Sequence, residues 1–97
     1  MVRGRIDAVF EVDGEHWVVD WKTGSPRGAD PLQLALYAAA WAQERGVTHD
    51  RVVGCFVFLA ERRCHVYREL PTVDRLQAAL GGATLPMAPS EAISWEV

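Results

Sequence analysis

The pair Asp13-Gly14 is the feature of this sequence that most restricts its fold. It lies between two runs in which apolar and polar residues alternate, residues 4–12 (GRIDAVFEV) and 15–22 (EHWVVDWK). An Asp-Gly pair in this setting is typical of a two-residue β-hairpin turn, because both turn positions need a positive φ. The sequence therefore predicts a hairpin in which Val12 faces Glu15 and Glu11 faces His16.

This register separates two faces of the hairpin, since side chains alternate along a strand. The predicted core face is apolar and carries Ile6, Ala8 and Phe10 against Trp17, Val19 and Trp21. The other face carries most of the charge, with Arg5, Asp7 and Val9 against Val18, Asp20 and Lys22. In this register Asp7 faces Asp20 and Arg5 faces Lys22, whereas a bulged turn would move Asp7 to the other face.

The predicted pairing of Asp7 with Asp20 needs a chemical explanation. Their Cβ atoms would lie roughly 5 Å apart, and at that separation two carboxylates repel by on the order of 3 kcal/mol at an effective dielectric near 20. Either a proton or a shared divalent cation relieves this repulsion, and we favour the cation, because Mg²⁺ and Mn²⁺ prefer hard oxygen ligands. Lys22, the only lysine in the chain, would then orient an attacking water or stabilise charge on a phosphate. Alternatively, Asp20 and Lys22 form an ordinary exposed ion pair worth under about 1 kcal/mol, although that interpretation leaves Asp7 unexplained.

The rest of the chain predicts a mixed α/β domain in the order β-hairpin, buried helix, β, β, helix. Asp30-Pro31 and Gly46 bound a largely apolar helix, residues 52–60 form a strand covered on both faces, residues 64–70 pair with it, and residues 72–80 form a short amphipathic helix. We predict a core domain over residues 1–83 and an irregular tail over residues 84–97. The first strand begins so soon after Met1 that the chain is expected to be part of a longer protein.

Composition limits the classes of function. The chain has 97 residues and a net charge of −3, so any contact with DNA must be local, metal-mediated or shared with other parts of a larger protein. It has neither a long apolar run nor a signal-peptide pattern, which favours the cytoplasm and no membrane. Cys55 and Cys64 match no zinc spacing and are predicted to be buried, reduced thiols. Of the histidines, His16 and His65 are interpreted as solvated strand residues and His49 as a loop residue.

Three motifs in this order resemble those of a known family. Gly4-Arg5-Ile6-Asp7, Asp20-Trp21-Lys22-Thr23 and Gln33-Leu34-Ala35-Leu36-Tyr37 resemble the G-x-x-D, D-x-K and Q-x-x-x-Y motifs of RecB-like nucleases, members of the PD-(D/E)XK superfamily. The resemblance covers about residues 3–60. It implies a restriction-endonuclease-like mixed sheet, here lacking the usual N-terminal helix, which in the family carries a further metal ligand.

The resemblance also implies roles for individual residues. Asp7 and Asp20 would bind Mg²⁺ or Mn²⁺, with the backbone carbonyl of Trp21 as a further ligand, and Lys22 would be catalytic. Gln33 and Tyr37, which share a helix face, would position the DNA strand together with Arg5.

The function expected from these residues is a Mg²⁺-dependent DNA nuclease domain, attached to a helicase domain of the same chain or complex and acting in DNA repair or recombination. Two alternatives stay open. The first is a catalytically degenerate nuclease fold that binds DNA or docks a protein. The second is a small α/β interaction domain without a metal, which predicts a fully exposed and well-separated Asp7 and Asp20.

Overall fold

The chain folds into a five-stranded mixed sheet with two helices. The computed structural model describes residues 8–23, 29–82, 85 and 87–95. The elements in chain order are β1 (Ala8–Val12), β2 (Glu15–Lys22), α1 (Pro31–Arg45), a 3-10 helix (His49–Arg51), β3 (Val52–Phe58), β4 (Arg63–Tyr67), α2 (Val73–Leu80) and β5 (Glu91–Ser94). The predicted α/β class and the predicted order from the hairpin to the second helix are confirmed.

The hairpin has the predicted turn and register. Asp13 and Gly14 have φ values of 50° and 80°, as a type I′ turn requires. Val12 pairs with Glu15, and the ladder continues without a bulge to Ala8, which pairs with Val19. The predicted partners Arg5 and Asp7 lie outside the described residues.

Helix α1 links two parallel strands, β2 and β3. Its predicted ends are confirmed: the Asp30 carboxylate accepts a hydrogen bond from Leu32 N at 3.0 Å, and Gly46 ends the helix in the left-handed conformation with φ 66°. The strands lie in the order β1-β2-β3-β4-β5, and all neighbours other than β2 and β3 are antiparallel. Because β2 and β3 are parallel, their carboxyl ends, Lys22 and Phe58, lie at the same edge of the sheet.

The main core lies on the sheet face that carries Val18, and both helices contribute to it. Its buried residues are Val18, Leu34, Ala35, Ala38, Ala39, Ala42, Val52, Phe56, Phe58, Tyr67, Leu70 and Leu76. Since side chains alternate, this is also the face of Asp20 and Lys22. The prediction that the opposite face, with Phe10 and Trp21, forms the core is therefore wrong.

On that opposite face the described residues form a smaller buried cluster of Val19, Val53, Cys55 and Val66. Phe10 and Trp21 are 50% and 48% exposed. The physical reason is that α1 and α2 place their apolar side chains against the other face, where Val18 adjoins the apolar residues of β3. Asp20 and Lys22 lie at one end of the face covered by the helices, and their charges do not prevent a core from forming over the rest of that face.

Helix α1 is largely buried, as predicted, and Ala40 and residues 43–45 are its exposed positions. One further difference concerns the tail. The tail predicted as irregular contains β5, in which Ile93 pairs with Cys64. That strand satisfies backbone groups along β4. Its four residues follow a proline-rich segment and do not by themselves predict a strand, because the pairing with β4 depends on tertiary structure. Neither described helix has the length and apolar character that a membrane span needs.

Both cysteines are free thiols, as predicted, although Cys64 is only half-buried. Burial of Cys55 raises the pKa of its thiol from the ordinary 9.0 to about 12. The thiol of the unfolded chain therefore ionises first. The stabilisation of the folded state that follows from this pKa difference at Cys55 is complete below pH 9 and is lost as the pH rises towards 12.

We accordingly expect the free energy of unfolding to fall by about 1.4 kcal/mol per pH unit more steeply above about pH 9 in the wild type than in Cys55→Ala. Urea titrations of both proteins at several pH values between about 8 and 10.5 measure the difference, and ionisation of the other groups cancels in it. Parallel pH dependences of the two proteins would contradict this prediction.

Candidate active site

Asp20 and Lys22 form an ion pair near the carboxyl end of β2. The Lys22 Nζ atom lies 3.3 Å from Asp20 Oδ2, and the side chains of Lys22 and Asp20 are 31% and 16% exposed. The pair is thus more shielded from water than the exposed pair of the structural alternative. A shielded pair interacts more strongly than an exposed one, because the effective dielectric around it is lower.

Two buried phenylalanines of β3 flank this pair. Asp20 is in register with Phe56 and Lys22 with Phe58, and both aromatic side chains are almost completely buried. Lys22 Nζ lies 6.0 Å from the centroid of the Phe56 ring, at the outer limit of a cation–π contact. The rings therefore exclude water from one side of the ion pair and restrict the positions of its charges.

This aromatic support, and the position of His65 within it, could not be predicted from the sequence. The His65 ring packs edge-on against Phe58 with centroids 4.9 Å apart, and His65 is half-buried. The interpretation of His65 as a solvated residue is wrong, because its register partner is Phe56, on the face covered by the helices. The continuous apolar run of β3 predicts a buried strand. It does not predict which strands lie beside β3, because that depends on pairing between distant segments.

A contact between Trp41 and His16 shows which side of α1 lies along β2. Trp41 Nε1 donates a hydrogen bond to His16 Nδ1 at 3.4 Å, so the interpretation of His16 as merely solvated is also wrong. Because α1 connects parallel strands, it runs antiparallel to β2. Each step of four residues along the helix advances about 6 Å, and each step of two along the strand about 6.6 Å.

These steps relate Gln33 and Tyr37 to the ion pair. From Trp41, Tyr37 is one step and Gln33 two steps back along the helix, while Val18 and Asp20 are one and two steps beyond His16. Tyr37 packs against the main core and Gln33 is half-buried. The helix side with both predicted residues therefore runs along β2 in the direction of Asp20.

The remaining predicted residues fall into two groups. Arg5 and Asp7 lie outside the described residues. The side chain of Trp21 points to the opposite face from Asp20, so Trp21 can contribute only its backbone to the candidate site. His49, predicted in a loop, begins the 3-10 helix, and its Nε2 lies 2.6 Å from Leu70 O. It precedes β3 and so lies at the other edge of the sheet from Lys22.

The family model of the PD-(D/E)XK nuclease superfamily matches residues 1–86. The chain belongs to the PD-(D/E)XK nuclease superfamily. The superfamily resemblance inferred from the three motifs is thereby confirmed, and the mixed sheet with its two helices agrees with a restriction-endonuclease-like fold. Within this PD-(D/E)XK domain, Asp20 and Lys22 are the residues that the sequence analysis predicts as the D-x-K motif.

One curated relative extends the comparison. The Gene 69 protein of Mycobacterium phage D29 is 55% identical to this chain over 47 residues, which are 48% of the chain and 17% of that protein. The matched part of this PD-(D/E)XK domain is thus a small fraction of its relative's length. No solved structure is significantly similar to the chain.

The donor set of the PD-(D/E)XK domain can be tested for its fit to a metal. Within residues 8–23, 29–82, 85 and 87–95, no group of three histidine, cysteine or acidic side chains is placed to hold an ion. Mg²⁺, however, is usually held by only one or two carboxylates, and waters and substrate phosphates complete its shell. The Asp20 carboxylate, 16% exposed near the carboxyl end of β2, is one such hard donor. The described residues therefore supply one carboxylate of the kind that Mg²⁺ or Mn²⁺ binds, and the predicted second ligand, Asp7, lies outside the described residues.

Proposed function

We propose that this domain is a RecB-like, divalent-metal-dependent nuclease that hydrolyses phosphodiester bonds of DNA. The observation that carries the proposal is the shielded Asp20–Lys22 pair, 3.3 Å apart, at the D-x-K position of a chain that belongs to a nuclease superfamily. In the same proposal the domain works in the cytoplasm beside a helicase domain, in DNA repair or recombination.

The hairpin ladder supports a second acidic ligand. Its pairs follow one another without interruption from Val12 and Glu15 to Ala8 and Val19. The proposal adds one more pair, Asp7 opposite Asp20, which would place the two Cβ atoms roughly 5 Å apart. Two carboxylates at that separation repel each other unless a cation or a proton lies between them.

Each residue then has a distinct task. Asp20 and Asp7 hold the cation, and the carbonyl of Trp21 is a further donor. When bound, a divalent cation supplies a Lewis acid for the phosphate. The Lys22 ammonium donates hydrogen bonds to the attacking water or to a phosphate oxygen, where negative charge develops. Arg5, Gln33 and Tyr37 orient the DNA strand.

The metal site predicts a stability effect. Mn²⁺ or Mg²⁺ at about 100 times its dissociation constant should stabilise the domain by about 2.7 kcal/mol, a rise of roughly 10 °C or more in the melting temperature. Asp20→Asn and Asp7→Asn should each remove most of this rise, because each loses an anionic donor. Thermal melts at increasing metal concentration measure the effect.

Asp74→Asn is the matched control, because Asp74 is an exposed acid in the first turn of α2, and it should retain the rise of the wild type. If Asp20→Asn is stabilised as much as the wild type, the assignment of the site is wrong. A wild-type domain that Mn²⁺ does not stabilise would instead favour the degenerate docking module.

A further inference from the structure

The turn between β3 and β4 lies directly beside Lys22. Leu59, the first residue of this turn, donates its backbone N–H to the carbonyl of Lys22 at 3.0 Å. On the other side of the turn, Trp95 N donates to Arg62 O at 2.9 Å. The turn is therefore tied at both ends to the sheet edge at which the candidate active site lies.

Arg63, the first residue of β4, shares a row and a face with Lys22. Lys22 is in register with Phe58, and Phe58 is in register with Arg63. Register partners on neighbouring strands point to the same face, and strands are about 4.8 Å apart, so the backbones of Lys22 and Arg63 lie roughly 10 Å apart. The residue between them is an uncharged, fully buried phenylalanine.

Among the described residues, no ion pair neutralises the two arginines where this turn meets β4. Arg62 and Arg63 are exposed, and neither forms an ion pair within the part of the chain that the structure describes. Arg68 shows the contrast, since it pairs with Glu15 and Glu91 at 3.3 and 2.8 Å. Glu61 is the one acidic residue among the four turn residues 59–62.

The backbone of Arg62 adds a second observation. Its φ is 53°, in the left-handed region that glycine and asparagine occupy more easily than a long side chain does. Arg62 is exposed at this position, so its guanidinium can be reached by a ligand.

We propose that Arg63, assisted by Arg62, binds a DNA backbone phosphate one or two nucleotides away from the phosphate at Lys22. This inference rests on the proposed nuclease function. Two nucleotides advance about 7 Å along the axis of a duplex. The backbones of Lys22 and Arg63 lie roughly 10 Å apart, so the long side chain of Arg63 can reach a phosphate at that spacing from Lys22. A guanidinium binds a phosphate in a bidentate manner. The chain has a net charge of −3, which does not attract DNA as a whole. Arg63 provides a local phosphate contact instead.

The test is the salt dependence of DNA binding by the 97-residue chain. Binding of a fluorescent single-stranded DNA of about 16 nucleotides is measured between about 50 and 200 mM salt, in an Asp20→Asn background so that the probe is not cleaved. Adding Arg63→Gln should reduce the magnitude of the negative slope of log K against log salt by about 0.7 and weaken binding severalfold at low salt. Arg63→Lys should retain most of the slope, because it retains the charge.

Arg51→Gln is the matched control, because Arg51 is also exposed but lies beside Gly14 at the hairpin turn. It should leave the slope unchanged. The inference is overturned if Arg63→Gln leaves the slope unchanged, if Arg51→Gln lowers it equally, or if none of the proteins binds the probe.

Failure of this inference and failure of the proposed function can be told apart. Cleavage that requires Asp20, together with a slope that is indifferent to Arg63, would refute only the phosphate contact. A slope that depends on Arg63, together with a wild-type protein that does not cleave DNA, would refute only the proposed function.

Discussion

Replacing Asp20 by alanine should lower DNA cleavage by about a hundredfold to a thousandfold or more. In the proposed mechanism the carboxylate binds the cation, and the ammonium of Lys22 lies 3.3 Å from it. Lys22→Ala should reduce the rate by a similar factor, because it removes the positive charge beside the reacting phosphate. The measurement is the single-turnover rate with Mg²⁺ or Mn²⁺, made on the complete protein to which this domain belongs.

Loss of activity must be separated from loss of structure. Both side chains are partly exposed, so breaking the pair should cost only about 1 kcal/mol of stability, and thermal melts of the variants should stay close to that of the wild type. Lys22→Arg is an informative companion, because it preserves the charge but not the compact ammonium. Asp20→Ala and Lys22→Ala proteins that still cleave DNA at the wild-type rate would refute the mechanism.

Local chemistry accounts for the parts of the fold that could be predicted. Asp13-Gly14 allows two consecutive positive φ values, which fixes the hairpin and its register as far as Ala8. The Asp30 carboxylate and Gly46 satisfy backbone groups at the two ends of α1. The Asp20–Lys22 pair follows from spacing alone, since residues two apart on a strand share a face.

The parts that could not be predicted depend on contacts between distant segments. Alternation in the hairpin defines two faces, but the face that becomes the core depends on where α1 and α2 pack. The aromatic support of Lys22 needs the parallel pairing of β2 with β3, and the row from Lys22 to Arg63 needs the position of the next turn. That turn occupies residues 59–62, about two residues earlier than the charged residues 61–63 indicate. One slip of this kind changes which side chains border the site.

The choice of core face has a large thermodynamic consequence. Phe58 is 0% exposed on the face covered by the helices, whereas Phe10 on the other face is 50% exposed. Phe58→Ala should lower the free energy of unfolding by about 3 to 5 kcal/mol, because it leaves a cavity between Phe56 and His65, whose rings lie 5.9 and 4.9 Å from that of Phe58. Phe10→Ala, the matched control, should cost about 1 kcal/mol.

Urea titrations and thermal melts distinguish the two substitutions. A domain of this size is typically stable by about 5 to 15 kcal/mol, so Phe58→Ala should lower the melting temperature by roughly 15 °C or more. If that variant does not fold, Phe58→Leu provides the comparison, with an expected loss of about 1 to 2 kcal/mol against no measurable change for Phe10→Leu. Equal losses at the two positions would mean that the sheet buries both faces alike, and the helices would then not define the core face, on which Asp20 and Lys22 lie.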